Sequence, residues 1–460
     1  MLTLPPLLIL LLGMGAVIGL IVGLRLNAFL GLLVAALLVS LLAPGEAAER
    51  VARVAEAFGS TAGSIGIVIA LAAVIGKAML DSGAADRIVR TFFHALGEQR
   101  APQALMGGGF VLAVPVFFDT VFFLLVPLAR SAFGRTGRHY LRYLMAVAGG
   151  AAITHTLVPP TPGPLIVADA LAVDLGTMML VGLVVAVPSA AAGLAFGAWR
   201  DRRAPIDLRP EEGGVVETAP PPTDGPGLAA SFAPIVLPIA LITAHTVVTA
   251  LAAADGASAV WVQVGAITAI VGNPNLALLA AAAVAVGVLV RQRRPSRAAL
   301  GEAIEEALMS AGVIILITAA GGAFGAMLRA AEIGPALADL FGGGASGLGL
   351  LGLAFGVAAL LKTAQGSSTV AMITAGGIVA GLLPVAGAAG LAYHPVYLAT
   401  AIASGSLVGS WMNDSGFWIY ARMGGLTEVE ALTTWTPLLV VLGVTGFATT
   451  LLLAVLLPLT

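Results

Sequence analysis

Residues 104–129 read ALMGGGFVLAVPVFFDTVFFLLVPLA, an apolar run of membrane-spanning length broken in its middle by Pro115, Asp119 and Thr120. About 20 apolar residues suffice to cross a bilayer as a helix. Unwound backbone inside such a run is tolerated only where protein or water satisfies its N–H and C=O groups. The basic residues decide from which side the run enters. Arg87, Arg90 and Arg100 precede it, and Arg130, Arg135, Arg138 and Arg142 follow it. Cytoplasmic loops are enriched in Lys and Arg, so both ends lie inside and the run reads as a re-entrant helical hairpin.

A second interrupted run, 347–385, breaks at Lys362-Thr363-Ala364-Gln365-Gly366-Ser367-Ser368-Thr369. The triplet Ala78-Met79-Leu80 recurs as Ala326-Met327-Leu328, and the same offset of 248 carries Asp119 and Thr120 onto Ser367 and Ser368. The charge pattern places this second hairpin on the outside. Two related halves of opposite topology are the plan of many secondary transporters, with substrate held where broken helices meet. The halves are 1–199, with its broken helix at about 141–165, and 229–460, with its broken helix at about 395–421.

Outward from the hairpins, apolar runs recur at 5–24, 27–44, 60–80, 141–165, 177–198, 231–252, 276–290, 310–328, 395–421 and 436–458. They predict an all-α polytopic membrane protein of about 10 full spans plus the two hairpins. Composition agrees: 10% of the 460 residues are charged, 59% are hydrophobic, and mean hydropathy is +1.03. The first run lacks the basic start and cleavage site of a signal peptide and reads as a retained helix, with both termini outside. Residues 200–228, rich in Pro and charge, read as a flexible cytoplasmic linker. Residues 257–272 are apolar but short, and read as re-entrant or interfacial. The stretches 46–58 and 297–308 are amphipathic and read as interfacial helices. A net charge of −2 gives no basic field for nucleic acid, and with no cysteine there is no thiolate site. No metal or cofactor is expected.

Four polar breaks carry the candidate chemistry. Two lie in the hairpins; the others are Val158–Pro164 and Ser410–Gly416. Half-helix N-termini at such breaks offer free N–H groups and a positive dipole end to an anion. Thr120, Thr161, Gly163, Gln365, Gly366, Ser367, Ser368, Thr369, Asn413 and Ser415 are the candidate substrate contacts. Pro, Gly, Ser and Thr in membrane helices also serve only to kink or pack them. Asp119 and Lys362 are ionisable groups within apolar runs, which marks them as functional candidates. Asp119 is the first candidate for proton coupling, against a structural carboxylate paired with Lys362 or a backbone donor. His155 reads as a relay or a hydrogen-bonded structural histidine, and Asp414 as a second proton site or a half-helix cap. Lys362 balances the substrate's charge or snorkels to an interface.

In VPVFFDTVFFLLVPLA (114–129), HTLVPPTPGP (155–164), KTAQGSSTVAMITA (362–375) and SWMNDSGFW (410–418), the chain resembles the gluconate permease family of proton symporters. The family sits within a wider group of inverted-repeat carboxylate carriers. The resemblance implies proton-coupled import of gluconate or a related sugar acid across a bacterial inner membrane. It also implies a homodimer in which a transport domain slides against a scaffold, in the manner of an elevator. Other hydroxy acids, D-serine and sodium coupling stay open. An intramembrane enzyme is the alternative from another class, but H-E-x-x-H, G-x-S-x-G and the phosphate-binding G-x-x-x-x-G-K-[ST] are all missing. A passive channel lined by broken helices is the remaining one.

Overall fold

The long apolar runs leave their backbone no partner but itself, and every regular element among the described residues is helical. The computed structural model describes residues 5–46, 48–209, 225–253, 258–332, 347–383 and 391–459. In chain order the helices begin with α1 (Pro6–Ile18), which runs on into a π-helical turn, Gly19–Gly23. Then come α2 (Ala28–Leu42), α3 (Glu49–Asp81), α4 (Ala84–Leu96), α5 (Ala101–Leu112), α6 (Phe118–Thr136), α7 (Tyr140–Leu157), α8 (Pro162–Ala170) and α9 (Leu175–Arg203). The second part holds α10 (Leu228–Ala253), α11 (Ala259–Val271), α12 (Pro274–Arg293) and α13 (Arg297–Ala330). It closes with α14 (Leu348–Gln365), α15 (Ser368–Leu382), α16 (Val396–Gly405), α17 (Ser415–Gly424) and α18 (Glu428–Leu456).

Among the described residues, seven helical stretches are long and apolar enough to cross a membrane. Leu11, Val187, Ile267 and Leu452 are among the large apolar side chains left exposed on the outside. Such a surface suits lipid as its solvent.

The two longest helices, α3 and α13, pack along each other. Their bases are tied by Lys77 Nζ to Glu306 Oε2 at 2.8 Å. At about 50 Å each they exceed the hydrocarbon thickness, so they tilt or project from it. Their length corrects the reading of 46–58 and 297–308 as separate interfacial helices. No proline separates those amphipathic stretches from the apolar runs that follow, so each helix continues straight through. Helices α2 and α12 pack against this pair, while α5–α9 and α14–α18 pack among themselves. The contact between the two groups runs mainly through α13 against α15 and α8.

Residues 257–272 contain α11, which folds back along α10 with His245 Nδ1 3.2 Å from Thr268 Oγ1. At about 20 Å it is too short to cross a bilayer. The supposed linker is ordered at its start: α9 runs to Arg203, and Arg209 donates from Nη1 to Glu430 Oε2 at 2.8 Å. Residues 210–224 lie outside the described set.

Candidate functional site

All four breaks are present as gaps between helices: 113–117 before α6, 158–161 before α8, 366–367 before α15 and 406–414 before α17. The first turns of those four helices line one cavity of about 380 Å³. Helix α6 contributes Phe118, Asp119 and Thr120, α8 contributes Pro162, α15 contributes Ser368 and Thr369, and α17 contributes Ser415 and Gly416. Each helix start carries N–H groups without a partner in the helix and a partial positive charge of about half a unit. Four such ends around one space make a field that favours an anion.

Of the predicted site residues, Asp119, Thr120, His155, Ser367, Ser368, Thr369, Asp414 and Ser415 line the cavity. Asp119 sits in the first turn of α6, takes a hydrogen bond from its own backbone N–H and feels the charge of Asp414. His155 packs edge-on to Phe117 at 5.9 Å, and its Nδ1 is buried without a hydrogen-bond partner.

Asp414 does two jobs. Its Oδ1 accepts from Gly416 N at 2.9 Å, capping α17. Its Oδ2 accepts from Lys362 Nζ at 2.7 Å and from Ser410 Oγ. Lys362, only 1% exposed, also donates to the Gly366 carbonyl. Trp435 Nε1 then donates to Ser410 Oγ at 2.8 Å, so the network joins α14, the fourth break and α18.

The other predicted residues lie behind the lining. Thr161 is 3% exposed and donates to the carbonyls of His155 and Val158, both at 2.8 Å, holding the second break in shape. Gly163 lets Met372 of α15 pack against α8, since a Cβ there would overlap the Met372 side chain. Asn413 Nδ2 donates to Thr363 O at 2.8 Å. Gly366 has φ +86° and abuts the Asn413 carbonyl. The Gln365 side chain lies outside the described set. Gly366→Ala would force a Cβ into a left-handed turn and onto that carbonyl, and should cost about 1–3 kcal/mol. Thermal unfolding of purified protein checks this, with Gly349→Ala as the control because a Cβ there meets nothing.

Ser310, Ile314 and Ile317 of α13, with Leu439 of α18, also line the cavity and carry no sequence signal. They sit in unbroken helices and reach the site only through packing.

A second cavity, about 370 Å³, lies further along α13 and is lined by Arg53, Ser60, Asp169 and Arg329 among others. Ile373 of α15 lines both cavities. Around it Gly321 and Gly325 of α13 press on Ile373 and Gly377, so closely that a Cβ on Gly325 would stand 2.6 Å from Gly377 Cα.

A family model described as GntP family permease matches residues 5–456. A gluconate permease of Pseudomonas aeruginosa is 32% identical over 446 residues, 96% of each chain. A low-affinity gluconate transporter of Escherichia coli is 31% identical over 424 residues, 92% of each chain. Among solved structures, the YdaH transporter of Alcanivorax borkumensis matches with a TM-score of 0.65 at 16% identity, covering 96% of this chain and 99% of that one. That last likeness is one of fold.

Proposed function

Because the chain belongs to the GntP permease family, we propose that it imports gluconate or a related sugar acid by proton symport. Family and relatives are permeases and transporters, so the chain is a membrane transporter and not an enzyme, multi-pass in a bacterial inner membrane. The convergence of four helix N-termini on one hydroxyl-rich cavity carries the substrate class. Backbone N–H groups there hold the carboxylate, while Thr120, Ser367, Ser368, Thr369 and Ser415 meet sugar hydroxyls. Thr161, Gly163, Gly366 and Asn413 shape the breaks that aim those groups.

Coupling follows from charge. An ionised Asp119 sits in the field that favours the substrate's carboxylate, and two like charges in one cavity repel. Protonation removes the conflict and turns Asp119 into a donor, so proton and substrate bind together. His155 passes the proton, Asp414 offers a second site for it, and Lys362 balances the charge of Asp414. That fixed ammonium at the hairpin break supports protons rather than sodium as the coupling ion.

Alternating access between inverted repeats completes the reading. In its support, the offset of 248 lays α2 on α12, α3 on α13 and α6 on α15. The helix pairs α5–α6 and α14–α15 are then the re-entrant hairpins, moving with the broken helices as an elevator against α3 and α13. The two cavities divided at Ile373 suit a pathway open on one side at a time. The homodimer belongs to the same reading.

The test is gluconate uptake into proteoliposomes under an imposed proton gradient, with sodium absent. Concentrative uptake that collapses with a protonophore is expected. No uptake by protein shown to be folded, or uptake only with sodium, overturns the assignment of substrate or of coupling ion.

A further inference from the structure

The glycine seam between α13 and α15 also fixes how the two helices are aligned. Gly321 meets Ile373, Gly325 meets Gly377 and Gly381 faces the Arg329 main chain, each pair 52 residues apart, so the helices run in the same direction in one register. That register sets Ser368, the first residue of α15, level with Leu316. Ile317 and Thr369 accordingly line the cavity side by side. Ser310, six residues before Leu316, lines the same cavity about 9 Å beyond the start of α15.

Helix α13 passes the cavity in its middle, where its N–H groups are spent within the helix, so only its side chains can meet a ligand. Ile314 and Ile317 are apolar, and Ser310 is the one polar side chain that α13 gives to the lining. Thr61, Thr156 and Thr374 turn their hydroxyls back to the carbonyl four residues earlier. Ser310 is exposed, and its hydroxyl makes no hydrogen bond among the described residues. One donor and two acceptors are therefore open to whatever fills the space.

We propose that Ser310 reads the terminal hydroxyl of the substrate, the one farthest from the carboxylate; this rests on the sugar-acid reading above. The N–H groups in the first turn of α15 point back along the helix axis, so a carboxylate they hold lies level with the helix start. A six-carbon sugar acid has seven bonds from carboxylate oxygen to terminal hydroxyl, which at about 1.2 Å of advance per bond reach about 8 Å. That carries the hydroxyl close to the level of Ser310. A three-carbon hydroxy acid reaches only about 5 Å and stops about 4 Å short, outside hydrogen-bond range. Ser310 thus selects for chain length, which the helix starts that hold the carboxylate do not sense.

The test is binding of radiolabelled gluconate to detergent-purified protein, displaced by unlabelled gluconate or by 6-deoxygluconate, which lacks only the terminal hydroxyl. Wild-type protein is expected to hold gluconate about fivefold more tightly than the deoxy acid, the worth of one neutral hydrogen bond. Ser310→Ala should weaken gluconate by that factor, leave 6-deoxygluconate unchanged and so erase the preference. Ser310→Thr, which keeps a hydroxyl, should retain it. Equal binding of the two acids by the wild type overturns the proposal, and this comparison needs no variant to fold. A preference that survives in Ser310→Ala overturns the residue named. Wild-type protein that binds no gluconate removes the sugar-acid reading itself, and this one with it.

Discussion

Asp119→Asn should abolish accumulation of gluconate against a gradient while leaving exchange of internal for external substrate intact. Asparagine keeps the shape of the carboxyl group and resembles its protonated form, so the cavity stays neutral and open to an anion. What is lost is the group that takes up a proton with each substrate. One pH unit corresponds to about tenfold in concentration for each proton coupled, so accumulation under that gradient should fall from at most about tenfold to none. Net uptake and counterflow in the same proteoliposomes separate the two activities. If the variant still accumulates substrate, coupling resides elsewhere, and His155 and Asp414 are next in line around the same cavity.

Lys362→Met should produce the largest loss of stability. The side chain is 1% exposed and its ammonium lies 2.7 Å from Asp414 Oδ2. Removing one member of a buried pair leaves the other charge without compensation, at a cost of about 3–5 kcal/mol. Asp414 keeps the Ser410 hydroxyl and the Gly416 N–H and borders the cavity, which sets the expectation near the lower figure. Thermal unfolding in detergent measures it. Adding Asp414→Asn should recover much of the loss, because the buried charge is then gone too. A single variant that unfolds at the wild-type temperature would show that the pair contributes nothing.

The breaks were legible in the sequence because their signal is local. Pro, Gly, Ser and Asp inside an apolar run stand out against what a membrane helix tolerates, and Asp119, Ser368 and Ser415 follow from that contrast. Ser310 and Leu439 were not legible, because they sit on the unbroken helices α13 and α18 and reach the cavity only through packing. Thr161 shows the limit from the other side. Its hydroxyl is marked by sequence as a site candidate but is spent on the carbonyls of its own break. The lengths of α3 and α13 escaped for a further reason. Amphipathic and apolar stretches differ in composition, yet a change of composition does not stop a helix, and no proline lies between them. The partnership of Lys362 with Asp414 is a contact across 52 residues that neither local pattern announces.

The contact of Gly321 and Gly325 with Ile373 and Gly377 also bears on time. A path closed by one side chain can open whenever that side chain changes rotamer, which takes picoseconds to nanoseconds at an exposed site. Here much of the barrier is main chain against main chain, at Gly325 and Gly377, which no change of rotamer at Ile373 can open. On the proposed pathway the way through opens only when α13 and α15 move apart as whole helices, a motion of microseconds to milliseconds. Backbone contact at this seam thus ties stray leakage to the same slow clock as transport itself.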